Sequence, residues 1–102
     1  MSVYLVAEIT VHDPDQYQEY VRQVPAFIDK YNGTYIIRGG EVVSQEGDWQ
    51  PQRLIVIKFP SKQHATAFLE DPGYQPVAEI RHRAATTKMV LADGFDPSDS
   101  KH

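Results

Sequence analysis

Val3-Tyr4-Leu5-Val6-Ala7-Glu8-Ile9-Thr10-Val11 decides the reading of the whole chain. Its odd positions are all apolar, and its even positions mix Tyr4, Val6, Glu8 and Thr10. Successive side chains of a strand point to opposite faces, so this is a strand with one fully apolar side. Working outward, Asp13-Pro14-Asp15-Gln16 reads as a helix start. Asp13 can cap, Pro14 suits the first helical position, and Gln16 stands where a capping-box partner belongs. Tyr17, Tyr20, Val21, Val24, Phe27, Ile28 and Tyr31 follow at helical spacing. Pro25 lies inside that run and is expected to kink it. Asn32-Gly33 ends it, with Gly33 expected in the left-handed conformation.

Thr34 to Arg38 is a second strand, and Glu41 to Gln45 is read as its continuation past a bulge or bend at Gly39-Gly40. A loop over Glu46 to Pro51 leads to Arg53–Phe59, the most strand-like segment of the chain. Pro60-Ser61 opens a short helix through Ala65, Phe68 and Leu69, which Asp71-Pro72-Gly73 breaks. A further helical piece carries Tyr74, Val77, Ala78 and Arg81, and Ala85 to Asp93 is the fourth strand. Strand, helix, two strands, helix, strand is the α+β order of a ferredoxin-like domain. Its simplest compact form is a four-stranded antiparallel sheet with the helices on one face. The domain is expected over residues 1–94, with a polar tail over 95–102.

The chain has 102 residues, which is room for one domain. It has no cysteine, so disulfide, thiolate-metal and cysteine-nucleophile chemistry are excluded, and a reducing cytoplasmic setting suits it. Glu8 interrupts the first apolar run almost at once, which reads as a strand and not as a signal peptide. No apolar run approaches the ~20 residues of a membrane span. Ten Lys/Arg against fourteen Asp/Glu give a net charge of -4 without any basic block, which argues against nucleic acid as a partner.

If the alternation holds throughout, Leu5, Ala7, Ile9, Ile37, Ile55, Ile57, Met89 and Leu91 face the helices. The opposite face then carries Tyr4, Val6, Glu8, Ile36, Arg38, Leu54, Val56, Lys58, Lys88 and Val90. It is too apolar to be left wet and too charged to be fully buried unpaired. The same face of a second subunit is the economical cover, so a homodimer is expected, with a positively charged cavity between the two sheets. Such a cavity suits a small anionic or aromatic molecule.

Within that cavity, Glu8 and Arg38 are the candidate catalytic residues. Glu8 could do acid–base work beside Lys58, and Arg38 could grip a carboxylate by two points. Tyr4, Lys58 and Lys88 are candidate substrate contacts, joined by Trp49 at the cavity mouth and by Tyr74 and Arg81, seven residues apart on one helical face. Each has a plainer reading. Arg38 could pair with Glu8 or Glu41, Trp49 could anchor its loop or a dimer contact, and Tyr74 could anchor a helix. Arg53 is expected to pair with Glu46 or Asp48. His12, His64, His82 and His102 lack metal-ligand spacing, so no metal and no haem are expected. No P-loop, GxSxG or GxGxxG is present.

Three stretches carry a family resemblance. They are Tyr31-Asn32-Gly33-Thr34-Tyr35-Ile36-Ile37-Arg38-Gly39-Gly40, the Glu46-Gly47-Asp48-Trp49 loop with Arg53–Pro60, and Asp71-Pro72-Gly73-Tyr74-Gln75-Pro76 with Arg81 and Ala84-Ala85. Together they resemble the bacterial family catalogued as domain of unknown function 1330. Lys58 and Phe68 stand where that family's pattern leads one to expect an acidic residue and a tryptophan. The resemblance implies the dimeric α/β-barrel superfamily, in which two ferredoxin-like sheets pack face to face. That superfamily includes cofactor-free monooxygenases, lactone isomerases, haem-degrading proteins and plain ligand-binding modules. It leaves two classes open: a cofactor-independent oxygenase or isomerase handling a small compound, or a non-catalytic structural module without a ligand.

Overall fold

A computed structural model describes residues 2–95 and Pro97. Residues 96 and 98–102, with His102 and most of the expected polar tail, lie outside the described residues, as does Met1. The elements are β1 (Val3–Val11), α1 (Pro14–Lys30), β2 (Thr34–Arg38), β3 (Arg53–Phe59), α2 (Lys62–Glu70), α3 (Gln75–Ala84) and β4 (Ala85–Asp93). The strands form one antiparallel sheet in the order β2-β3-β1-β4, the ferredoxin-like arrangement.

β1 is central because both of its neighbours match its alternation. Leu5 lies opposite Ile57 on β3 and Leu91 on β4, and Ala7 lies opposite Ile55 and Met89. These side chains meet Tyr17, Tyr20, Val24 and Ile28 of α1, Ala65 and Phe68 of α2, and Val77 and Ala78 of α3 in one core. Phe68 stacks on Phe59 at 5.6 Å and touches Tyr74 at 4.5 Å between ring centres. Each large aliphatic buried in this layer contributes roughly 1.5–3 kcal/mol.

The helix starts are chemical. The Asp13 carboxylate accepts from the Gln16 amide at 3.2 Å, and Ser61 Oγ accepts from the His64 amide at 3.2 Å. Pro25 does not end α1, which runs on to Lys30 with Val24 and Ile28 buried on either side of it. At the helix stop, Asn32 is the residue in the left-handed conformation, at φ 61°. Gly33 is needed for a different reason: a β-carbon there would lie 2.7 Å from Ile28 Cγ2 and 2.8 Å from the Phe59 ring. The break between α2 and α3 is held by Asp71, whose carboxylate accepts from the amides of Gly73 at 2.7 Å and Tyr74 at 3.2 Å. Lys30 Nζ, 2.8 Å away, and the Tyr31 hydroxyl bind the same carboxylate and hold it well below the usual carboxylate range.

Two expectations about β2 are corrected. Glu41 to Gln45 is not a strand, and the sheet irregularity is not at the glycines. The register slips between Tyr35 and Ile37, so Ile36 is the extra residue: Tyr35 faces Ile57, Ile37 faces Val56, and Arg38 faces Ile55. A one-residue slip exchanges the faces of everything after it. Arg38 therefore shares the helix-side face with Ile55, and Ile37 is turned to the bare face, where it is 40% exposed.

Candidate functional site

Turning Arg38 to the helix side moves the centre of interest from one sheet face to the other. Under α1 lies a cavity walled by Leu5, Ala7, Ile9, Ile55, Ile57 and Met89 of the sheet and by Val21, Val24 and Ile28 of α1. Phe68 of α2 completes the apolar wall. Its polar lining is Tyr17, Tyr20, Tyr35, Tyr74, Arg38, Arg53 and Arg81, with no aspartate or glutamate. The enclosed space is about 40 Å³, room for roughly two or three waters. It adjoins an open cleft of about 370 Å³, and the two share Tyr17, Val21 and Arg53.

Each guanidinium sits against a tyrosine. Arg38 lies 4.6 Å from the Tyr35 ring centre, Arg53 lies 5.5 Å from that of Tyr17, and Arg81 lies 5.5 Å from that of Tyr20. Arg53 also donates from Nε to the Tyr17 hydroxyl at 3.1 Å, in place of the expected pairing with Glu46 or Asp48. Among the described residues, none of the three has a carboxylate within 4.0 Å. The expected pairing of Arg38 with Glu8 or Glu41 is not formed.

The inner end of the cavity is the most constrained. Arg81 is only 6% exposed, its Nε–H has no partner among the described residues, and its Nη2 reaches no closer than 3.5 Å to His82 Nε2. Burying an uncompensated charge costs several kcal/mol. Burial works to discharge this guanidinium, but the Tyr20 and Tyr74 hydroxyls outweigh it and hold it up. Those hydroxyls lie 2.9 Å apart. One proton makes that bond, and the other O–H donor is left without an acceptor among the described residues. Burial, and then the neighbouring Tyr74, push the Tyr20 phenol well above its ordinary range, and burial raises Tyr35. Tyr20 and Tyr35 are therefore held in the neutral, hydrogen-donating form. The lining has donors to spare and few acceptors, an arrangement that complements an oxygen-rich or anionic guest.

The residues expected to share one cavity divide between the two faces. Arg38, Tyr74 and Arg81 line the cavity under α1. Tyr4, Glu8, Lys58 and Lys88 stay on the bare face, where Tyr4 pairs in register with Lys58, and Glu8 with Leu54 and Lys88. Glu8 is thus across from Lys88, not beside Lys58. Trp49, 60% exposed, reaches over this face and donates from Nε1 to Glu8 Oε2 at 3.1 Å. Tyr74 is both a buried helix anchor and a cavity wall. Tyr17, Tyr20, Tyr35 and Arg53 were not foreseen as site residues. A signal was present: hydroxyl-bearing rings occupy core positions of α1 that aliphatic residues would fill as well.

The histidines make local contacts. His12 Nε2 lies 2.6 Å from Thr86 Oγ1, His64 Nδ1 lies 2.7 Å from Ser61 Oγ, and His82 Nδ1 lies 3.2 Å from Glu79. Among the described residues, no three His, Asp or Glu side chains gather as a metal site, and no helix is long and apolar enough to cross a membrane.

The family model described as Domain of unknown function (DUF1330) matches residues 2–95. The chain belongs to this family. Search of curated proteins gave no match. Solved structures similar to this DUF1330 domain include a protein of unknown function from Rhodopseudomonas palustris, at 14% identity and a TM-score of 0.74, covering 94% of this chain and 84% of that one. SnoaB, a cofactor-independent oxygenase from Streptomyces nogalater, is similar at 18% identity and a TM-score of 0.69, covering 97% and 98%. A dimeric ferredoxin-like protein of unknown function from Jannaschia sp. CCS1 is similar at 10% identity and a TM-score of 0.65, covering 92% and 100%. At these identities the likeness shows the fold of the DUF1330 domain and no more.

Proposed function

We propose that this protein is a small-ligand-handling homodimer that binds or converts a small anionic or aromatic compound without a cofactor. The ligand site is the cavity under α1 with its adjoining cleft. The bare sheet face, with Tyr4, Glu8, Lys58, Lys88 and Trp49, is the contact with the second subunit. One observation carries the reading: three guanidiniums converge on an apolar cavity with no carboxylate in its lining. A structural cluster would be cheaper with partners of its own, whereas a site for an anion leaves that role to the ligand. Similarity to a cofactor-independent oxygenase supports small-molecule handling at the level of the fold.

Because the enclosed part holds only a few waters, a ring-sized ligand occupies the outer cleft and extends inward past Tyr17 and Arg53. The test is a thermal-shift screen of small carboxylates and phenols on the wild type and on Arg38→Ala and Arg53→Ala. A ligand at a hundred times its Kd stabilises by about 2.7 kcal/mol, which a melting curve resolves. Carboxylates or phenols that raise Tm in the wild type and much less in the variants support the site. A screen in which none of them shifts Tm favours the non-catalytic structural module.

A further inference from the structure

The donors from Arg53 to Arg81 form one run through the cavity under α1, and its buried end is left without acceptors. Arg53 donates to the Tyr17 hydroxyl, the Tyr17 and Tyr20 rings stand 5.7 Å apart on one turn of α1, and the Tyr20 hydroxyl meets that of Tyr74 at 2.9 Å. Arg81 of α3 ends the run against the Tyr20 ring. There, Arg81 Nε–H and the spare O–H of the Tyr20–Tyr74 pair have no acceptor among the described residues. The enclosed space is about 40 Å³. A volume of that order holds about three or four non-hydrogen atoms, which excludes a ring.

We infer that this buried end is a seat for a free, compact, singly charged oxyanion the size of formate or nitrate, held by Arg81 Nε–H and the Tyr20–Tyr74 pair. Water would fill the space but answer it poorly. It brings its own protons into a lining already rich in donors. It also leaves the Arg81 charge uncompensated, since that side chain is buried with no carboxylate within 4.0 Å among the described residues. An oxyanion brings acceptors and the balancing charge together, and a planar one matches the flat guanidinium. One charge suffices, because Arg53 and Arg38 also line the open clefts, where water weakens their fields. The inference rests on the cavity under α1 taking anions. A larger ligand reaching in from the cleft past Tyr17 and Arg53 then stops at the oxyanion.

Melting curves in sodium gluconate, with formate or nitrate substituted at constant ionic strength, test this, because gluconate is too bulky for the interior. At about tenfold its Kd, either anion should raise the wild-type Tm by at least about 5 °C. Arg81→Lys, which keeps a charge but has no Nε–H, should lose most of that gain, and Arg81→Met should lose all of it. The wild-type Arg81 Nε–H proton resonance should also move as formate is added, a readout that needs no variant to fold; an unmoved resonance overturns the contact. Benzoate separates this seat from the cleft, since its ring keeps it outside: its effect on Tm should fall in Arg53→Ala and persist in Arg81→Met. A shift with benzoate and none with formate or nitrate overturns the oxyanion seat and leaves the cleft as the ligand site. A formate shift that survives Arg81→Met overturns Arg81 as its holder. No shift with any of the three overturns the seat and the anion reading of the cavity together.

Discussion

The Arg53 guanidinium fills the space where a side chain on Gly39 would begin. Gly39 has φ +72°, so it answers two demands at once: a left-handed backbone and room for a neighbouring cation. Gly39→Ala should cost roughly 1–2 kcal/mol through the backbone alone. It should also push Arg53 off the Tyr17 hydroxyl and weaken binding of any anion that the cavity takes. Gly40→Ala is the control, since a β-carbon there meets open space. Urea denaturation of both variants should separate them, and equal stabilities would remove the argument.

Asp71 ties α1 to the turn before α3, through Lys30 and Tyr31 on one side and the Gly73 and Tyr74 amides on the other. The Lys30 and Tyr31 bonds lower its pKa from the ordinary 3.8. A carboxylate depressed in the folded state binds fewer protons there than in the unfolded chain. Its stabilisation is complete above the unfolded value and is lost as pH falls through the folded one. Asp71→Asn should therefore lower Tm at pH 7, and the gap from wild type should narrow steadily below about pH 4. A gap independent of pH would show that the charge is not what holds the turn.

Phe68 is buried between Phe59 and Tyr74 and also forms a wall of the cavity. Truncation removes both its transfer energy and its packing, so Phe68→Ala should cost about 3–5 kcal/mol. It should also enlarge the cavity, so that ring-sized carboxylates excluded from the interior of the wild type gain affinity. A loss of stability without any change in ligand size preference would confine Phe68 to a packing role.

Most of the architecture was legible because alternation is a local property. Leu5, Ala7, Ile55, Ile57 and Met89 face the helices as their spacing demands. The site was not, and one residue accounts for much of that. Ile36 and Ile37 are equally apolar and equally β-branched, so nothing in their chemistry marks Ile36 as the extra residue. The glycines that attract attention as a bulge lie beyond it, and of the two Gly39 makes room for the Arg53 guanidinium instead. With Ile36 uncounted, Arg38 falls on the wrong face, and the candidate residues gather in one imagined cavity. Tyr17 and Tyr20 were legible as core but not as donors, because helical periodicity reports where a side chain points and not whether its hydroxyl finds an acceptor.

The same slip strengthens the case for a second subunit. Ile37, turned to the bare face, joins Val56, Val6 and Val90 across the four strands. Ile37 and Val90 are 40% and 60% exposed at the two edges of that face, a position that favours a partner over water. Lys58 and Lys88 are exposed there too, which limits the partner to one that leaves their ammonium groups solvated or brings carboxylates such as Glu8. A two-fold copy of this face supplies both. The proposed homodimer should bury on the order of 1,200–2,000 Å². Val90→Glu adds a charge on the β4 edge of that contact without touching the helix-side core, so the chain should fold and fail to pair. Light scattering at micromolar concentration should give twice the single-chain mass for the wild type and the single-chain mass for the variant, with equal circular dichroism. A wild type that is already monomeric would leave the apolar face without the cover proposed for it.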